Sequence, residues 1–293
     1  MHVLRKTPHT WRAVTVLLLV CLVPLSFVAG CTGGPGTQPT ATATPAIQVL
    51  KVSGSTTVQP IASKAAEAFM ANHSTVDIQV SPGGSGPGVV SAGEGTADIG
   101  MSSRDLTAAE IAKYPTLVTT TIAKDGVAII VHPTNGVSVL SLDQVKSIYN
   151  GSITNWNQVG GPNMAIVVVG RESSSGTRAF VLEKIMKNQN FTSTQLETNS
   201  NGAMKQTISQ TPGAIGYVSI GFLDATVKAV SLGTSASSVA PTVANVLNGS
   251  YPVSRPLYFL TKGTPAGLAK EFTEYVLSPV GQQLVAEEGY VPL

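Results

Sequence analysis

Cysteine is almost absent from this chain. Among 293 residues only Cys21 and Cys31 carry a thiol, both within the first 31 positions. Disulfide staples, thiol catalysis and cysteine-ligated metals are therefore excluded for everything that follows. Beyond residue 31 histidine is reduced to His73 and His132, too few for a zinc site or for a well-supplied set of general bases. The charge balance offers no basic surplus either. The formal net charge is +2, but Arg5, Lys6 and Arg12 are three of the 18 basic residues, and without the first 30 positions 15 Lys and Arg face 16 Asp and Glu. A nearly neutral body lacks the basic patch that a nucleic-acid partner requires. Trp156 and the seven tyrosines are too scattered to build a stacking platform for sugars or bases, and read as core or rim residues.

What is present begins with an address. A basic head precedes an apolar run over residues 13–29, broken only by Thr15, Pro24 and Ser26, the pattern of a secretory signal. The run ends Val28-Ala29-Gly30-Cys31, which resembles the lipobox of bacterial-type lipoproteins and implies lipidation at Cys31. A membrane span is the competing reading, since roughly 18 apolar residues can just cross a bilayer; Pro24 and the small residues favour cleavage. Residues 1–30 are thus expected to be a signal peptide. Residues 31–46, rich in Gly, Pro, Thr and Ala and without charge, read as a flexible tether.

From Ile47 onward short apolar strands alternate with helical patterns, which argues for α/β layering with mainly parallel sheets flanked by helices. Strands are expected at 47–52, 76–80, 97–101, 165–169 and 215–218, and helices at 61–72, near Gly88, and at 142–149, 177–187, 265–277 and 280–288. Two hydrophobic strands, 126–132 and 256–261, stand at the joins between blocks and suggest two chain crossings. The expected division is lobe one at 47–126 and 258–293, and lobe two at 127–257.

Three segments share one design, in which a strand ends, small residues turn and a helix starts: Gly54-Ser55-Thr56-Thr57, Gly83 to Gly88, and Arg171 to Thr177. At such a point backbone N–H groups lack helical partners and the helix dipole is positive, so an anion is stabilised. Each loop alone reads equally as a capped helix. Three in one exported chain, with Arg171 beside one of them, favour an oxyanion site.

These segments, together with Asp98-Ile99-Gly100-Met101-Ser102-Ser103-Arg104 and Thr211-Pro212-Gly213-Ala214-Ile215-Gly216-Tyr217-Val218, resemble the phosphate-binding components of ABC importers over nearly the whole mature chain. The resemblance implies a two-lobed periplasmic-binding-protein type II fold with the ligand in the interlobe cleft. It implies ligand contacts from Thr56, Thr57, Ser85, Arg171, Ser175, Gly176 and Thr177, and no covalent chemistry, cofactor or metal. It also implies an extracytoplasmic, membrane-tethered monomer that hands inorganic phosphate to a permease driven by a cytoplasmic ATPase.

The chain departs from the family pattern at one point. A protonated oxyanion calls for an acceptor, which the family often supplies as an Asp after Asp-x-Gly, where this sequence has Ser103. Asp125 is the preferred substitute, with Asp98 and Asp105 behind it, although Asp125 before Gly126 reads equally as a turn residue. Arg104 is expected to pair with Asp105 or Glu172 or to add a second charge. The competing functions are a receptor for sulfate, molybdate or tungstate, a phosphate-sensing surface lipoprotein, and, remotely, a secreted phosphoester hydrolase using a serine of residues 173–175.

Overall fold

The computed structural model describes residues 46–293. The expected signal segment, Cys31 and the tether up to residue 45 lie outside the described residues.

The described residues open with β1 (Gln48–Gly54), whose alternate residues Leu50 and Val52 turn inward. Helix α1 (Gln59–Met70) buries Ile61, Ala62, Ala65, Ala66 and Phe69, the single apolar stripe that a 3.6-residue period produces. Then come β2 (Val76–Pro82), α2 (Ser85–Glu94), β3 (Ile99–Ser102), α3 (Ala108–Lys113) and the 15-residue β4 (Leu117–Val131). A second block holds β5 (Val139–Leu140), α4 (Leu142–Tyr149), β6 (Val167–Arg171), α5 (Gly176–Lys184), β7 (Leu196–Thr198), α6 (Asn201–Gln210) and β8 (Ala214–Ser219). After β9 (Lys228–Thr234), β10 (Ser237–Val239) and α7 (Val243–Leu247), the chain returns through β11 (Ser254–Lys262) to α8 (Gly267–Leu277) and α9 (Pro279–Glu287).

The strands form two sheets that share β4. One runs β2-β1-β3-β11-β4; the other continues from β4 through β8 and β6 to β7, with β9 on the opposite side of β4. The first half of β4 pairs with β11, and Val127 to Val131 pair with β8. Parallel pairing holds for β1 with β2 and β3 and for β6 with β7 and β8. The antiparallel pairs belong to β4, β11 and the β9–β10 hairpin. Two large apolar cores follow, beside a small cluster of Val89, Ala92, Tyr114 and Leu260. One gathers Leu50, Val52, Phe69, Ile99, Phe259 and Phe272; the other gathers Ile129, Tyr149, Trp156, Met204, Tyr217 and Val230.

This topology places the site. In a parallel strand–helix unit the strand's carboxyl end and the next helix's amino end share an edge. Units β1–α1, β2–α2, β6–α5 and β7–α6 therefore bring four helix N-termini to the seam between the sheets. Among the described residues no helix is long and apolar enough to cross a membrane.

Candidate functional site

The first loop, between β1 and α1, carries Thr56 and Thr57, both buried. Its backbone is held by the Tyr290 hydroxyl, which donates to the Thr57 carbonyl at 2.7 Å. Gly54 has a φ of +137°, and a Cβ there would lie 2.4 Å from the Met101 carbonyl oxygen. Only glycine lets β1 end this close to β3. Gly83 and Gly84 then donate to the Gly54 carbonyl at 2.8 and 3.0 Å, which sets Ser85 as the first residue of α2. Ser103 follows β3; its N–H donates to the Ser85 hydroxyl at 3.0 Å, and the two hydroxyls pair at 3.2 Å.

The facing loop runs from Arg171 at the end of β6 to Thr177 in the first turn of α5. Ser175 is the N-cap, its oxygen accepting from the Arg178 N–H at 3.2 Å. Gly176 lies against the other sheet's loops: a Cβ there would be 2.1 Å from the Ser85 hydroxyl oxygen and 2.8 Å from that of Ser103. Gly86 donates its N–H to the Ser174 carbonyl at 3.1 Å, across the same seam.

The hydroxyls are loaded from behind. Thr57 Oγ1 accepts from Asn201 Nδ2 at 3.0 Å and Arg255 Nη2 at 3.3 Å, and lies 3.3 Å from Thr177 Oγ1. Thr56 Oγ1 accepts from Arg171 Nη2 at 3.4 Å and Asn201 Nδ2 at 3.3 Å. A hydroxyl has two lone pairs and one proton. With both lone pairs taken, each threonine can only donate to whatever else it meets.

Two guanidiniums flank these groups, each with its own carboxylate. Arg171 is 1% exposed and forks onto Glu172 through Nε at 3.0 Å and Nη2 at 2.9 Å. Its N–H donates to the Tyr217 hydroxyl, whose burial raises that phenol well above the usual range and keeps it neutral. Arg255 is equally enclosed and forks onto Asp125 Oδ2 through Nε at 3.0 Å and Nη2 at 2.8 Å. Nη2 also reaches Thr177 Oγ1 at 3.0 Å. The second Asp125 oxygen accepts from Ser219 Oγ at 2.6 Å and the Ile220 N–H at 3.3 Å. Burial pushes the Asp125 carboxyl upward, and Arg255 and Ser219 oppose that.

All nine residues singled out from the sequence, Thr56, Thr57, Ser85, Ser103, Asp125, Arg171, Ser175, Gly176 and Thr177, lie in or beside this buried cluster. Three expectations change. Asp125 does not present a free oxygen, because its four acceptor positions meet four protein donors. Asp98 and Asp105 face elsewhere, accepting from the Lys51 N–H and the Tyr258 hydroxyl. Arg104 turns away to fork onto Glu110 at 2.7 Å through both terminal nitrogens. Asn201 and Arg255 were missed. A cavity of about 340 Å³ opens beside the cluster, lined by Thr56, Pro82 and Gly83 on one side and Glu172, Ser174 and Ser200 on the other.

The chain matches the family model described as PBP superfamily domain over residues 39–280. It is 38% identical over 246 residues to the phosphate-binding protein PstS of Bacillus subtilis, covering 83% of this chain and 80% of that protein. A putative phosphate ABC transporter substrate-binding protein from Clostridium perfringens, solved with bound phosphate, superposes with a TM-score of 0.79 at 38% identity, over 84% of this chain and all of that one. An ABC-type phosphate transport receptor from Vibrio cholerae gives a TM-score of 0.69 at 37% identity, over 83% of this chain and all of that one. A two-lobed fold with helix N-termini meeting at a donor-lined seam, and a match at this identity over this length, lead to one assignment: the chain belongs to the PBP superfamily and, within it, to the family of PstS phosphate-binding proteins.

Proposed function

We propose that this chain is an extracytoplasmic receptor that captures inorganic phosphate between two lobes and delivers it to an ABC importer's permease, driven by a cytoplasmic ATPase. It is a binding protein and not an enzyme, as its relatives are. The observation that carries the reading is the orientation of the hydroxyls. Thr56 and Thr57 have their lone pairs filled by Asn201, Arg171 and Arg255, so Thr56 offers its proton outward while Thr57 has Thr177 Oγ1 within reach of its own, and an anion is the guest that accepts from such donors. The N-termini of α1, α2, α5 and α6 add positive dipole ends.

In this reading the ligand contacts are Thr56, Thr57, Ser85, Ser103, Arg171, Ser175, Gly176 and Thr177. Lobe one comprises 47–126 and 258–293 and lobe two 127–257, with β4 and β11 as the crossings. A lipid on Cys31 and the tether of residues 31–46 hold a monomeric receptor at the outer face of the cytoplasmic membrane.

The test is calorimetric titration of ligand-free protein with phosphate. Arg171→Ala is expected to cost about 2–5 kcal/mol of binding, because it removes a forked charge and leaves Glu172 unpaired. A folded Arg171→Ala variant with unchanged affinity would refute the assigned role.

One observation favours a second reading, a receptor for a protonless oxyanion such as sulfate, molybdate or tungstate. Asp125, the expected acceptor for a phosphate proton, has its oxygens filled. Sulfate displacing phosphate at equal concentration would decide for that reading.

A further inference from the structure

Arg255 has one nitrogen that none of the described residues satisfies. Its Nε and Nη2 are engaged by Asp125, Thr57 and Thr177, but Nη1 is buried and has no hydrogen-bond partner. The side chain is 1% exposed, so water does not readily serve it, and leaving a charged donor unpaired in such a place is costly. The unpaired nitrogen shares its outer edge with Nη2, which bonds the hydroxyls of Thr57 and Thr177. One of these stands on the first loop and the other on the facing loop, so that edge lies where the two loops meet.

We infer that Arg255 is a second ligand-binding guanidinium, with Nη1 donating directly to the captured oxyanion, and that Asp125 positions Arg255 and does not accept the ligand's proton. The inference rests on the receptor reading above and deepens it. Asp125 and Arg255 are cross-strand partners on β4 and β11, so the fork onto Oδ2 fixes the guanidinium plane. Ser219 and Ile220 fix the carboxylate in turn. Facing the pair are Arg171, whose charge opposes that of Arg255, Tyr290 and Tyr251, whose hydroxyls feel the Asp125 charge, and the Phe180 ring, whose centroid lies 5.5 Å from the guanidinium carbon. Asp125 is left with no lone pair for a proton from the guest.

The experiment measures phosphate affinity by calorimetry from pH 5 to 9 for the wild type, Asp125→Asn, Arg255→Lys and the double variant Asp125→Asn/Arg255→Gln. The double variant removes both charges and leaves neither unpaired. It is expected to fold, by its ligand-free melt, and to bind phosphate about a hundredfold more weakly or worse. Asp125→Asn is expected to weaken binding about tenfold while its pH profile stays parallel to that of the wild type. Should the double variant not fold, Arg255→Lys decides, because it keeps the charge and loses the fork; an affinity loss of about tenfold is expected. A folded double variant, or in its place Arg255→Lys, within about threefold of wild type overturns the role of Arg255. A pH profile that changes shape in Asp125→Asn overturns the positioning role and returns the proton to that carboxylate. Uptake by the wild type with an unaffected double variant removes this inference alone, whereas a wild type that takes up no phosphate removes the receptor reading with it.

Discussion

The charges around the seam cancel. Arg171 is paired with Glu172 and Arg255 with Asp125, so the two guanidiniums add no net charge to the cluster, and a multiply charged guest is held by their N–H groups together with neutral donors. Such donors are strong only where water is excluded and each dipole is held in place, and the threonines are held by Asn201 and the two arginines. Packing at Gly176 is part of the same exclusion. Its φ is not one that demands glycine, so Gly176→Ala costs nothing in the backbone; the methyl group would overlap the Ser85 hydroxyl. The expected result is a loss of about 1–3 kcal/mol in stability, read as a lower melting temperature by differential scanning, with weaker phosphate binding by calorimetry; an unchanged melting temperature and affinity would show that the loops part at no cost. Asn201 and Arg255 had no legible signal in the sequence. Asn201 follows a strand of only three residues, too short to mark its strand–turn–helix unit, and Arg255 precedes Pro256 in what reads only as the start of an apolar strand. The place of Arg255 depends on β11 lying beside β4 in space, which local pattern does not encode.

At the scale of elements, capping organises what the side chains present. Helix α6 begins at Asn201 because the Ser200 hydroxyl accepts from the Ala203 N–H at 3.0 Å. Ser200→Ala is expected to cost about 1 kcal/mol in urea denaturation. It should also weaken phosphate binding, since the donor that orients both threonines sits on the first turn; a stability loss without any binding loss would separate the cap from the site. This helix was not legible. Its sequence offers only Met204 and Ile208 as buried apolar residues, a stripe too thin to stand out beside Gly202 and the polar majority, and it is tertiary packing that holds it. The first half of β4 escaped notice for a related reason. Thr119, Thr120 and Thr121 read as polar although their branched Cβ atoms suit a strand. By contrast α4 (Leu142–Tyr149) was legible to the residue, because Ser141 and Gln144 form a complete capping box before a clear apolar stripe.

For the whole molecule, the alternation of strands and helices was enough to read a two-lobed α/β architecture, because the two periods differ and the blocks repeat. What it could not yield is the mixture of pairing directions, which arises where β4 and β11 pass between the sheets. A guest bound at the seam touches both cores through their loops, so its binding free energy adds to the stability of the folded chain. At phosphate concentrations about 100-fold above the dissociation constant, a gain of about 2.7 kcal/mol is expected, read as an upward shift in melting temperature that Arg171→Ala abolishes. A shift of the same size in the variant would place the binding elsewhere.

The continuity of β4 bears on how such a receptor would move. A strand hydrogen-bonded into both sheets has no slack, so the halves cannot swing as if joined by a cord. Any parting has to be taken up as torsion where β4 and β11 pass side by side between the sheets, near Gly126 and Ser254, so the two crossings would twist together as one stiff ribbon.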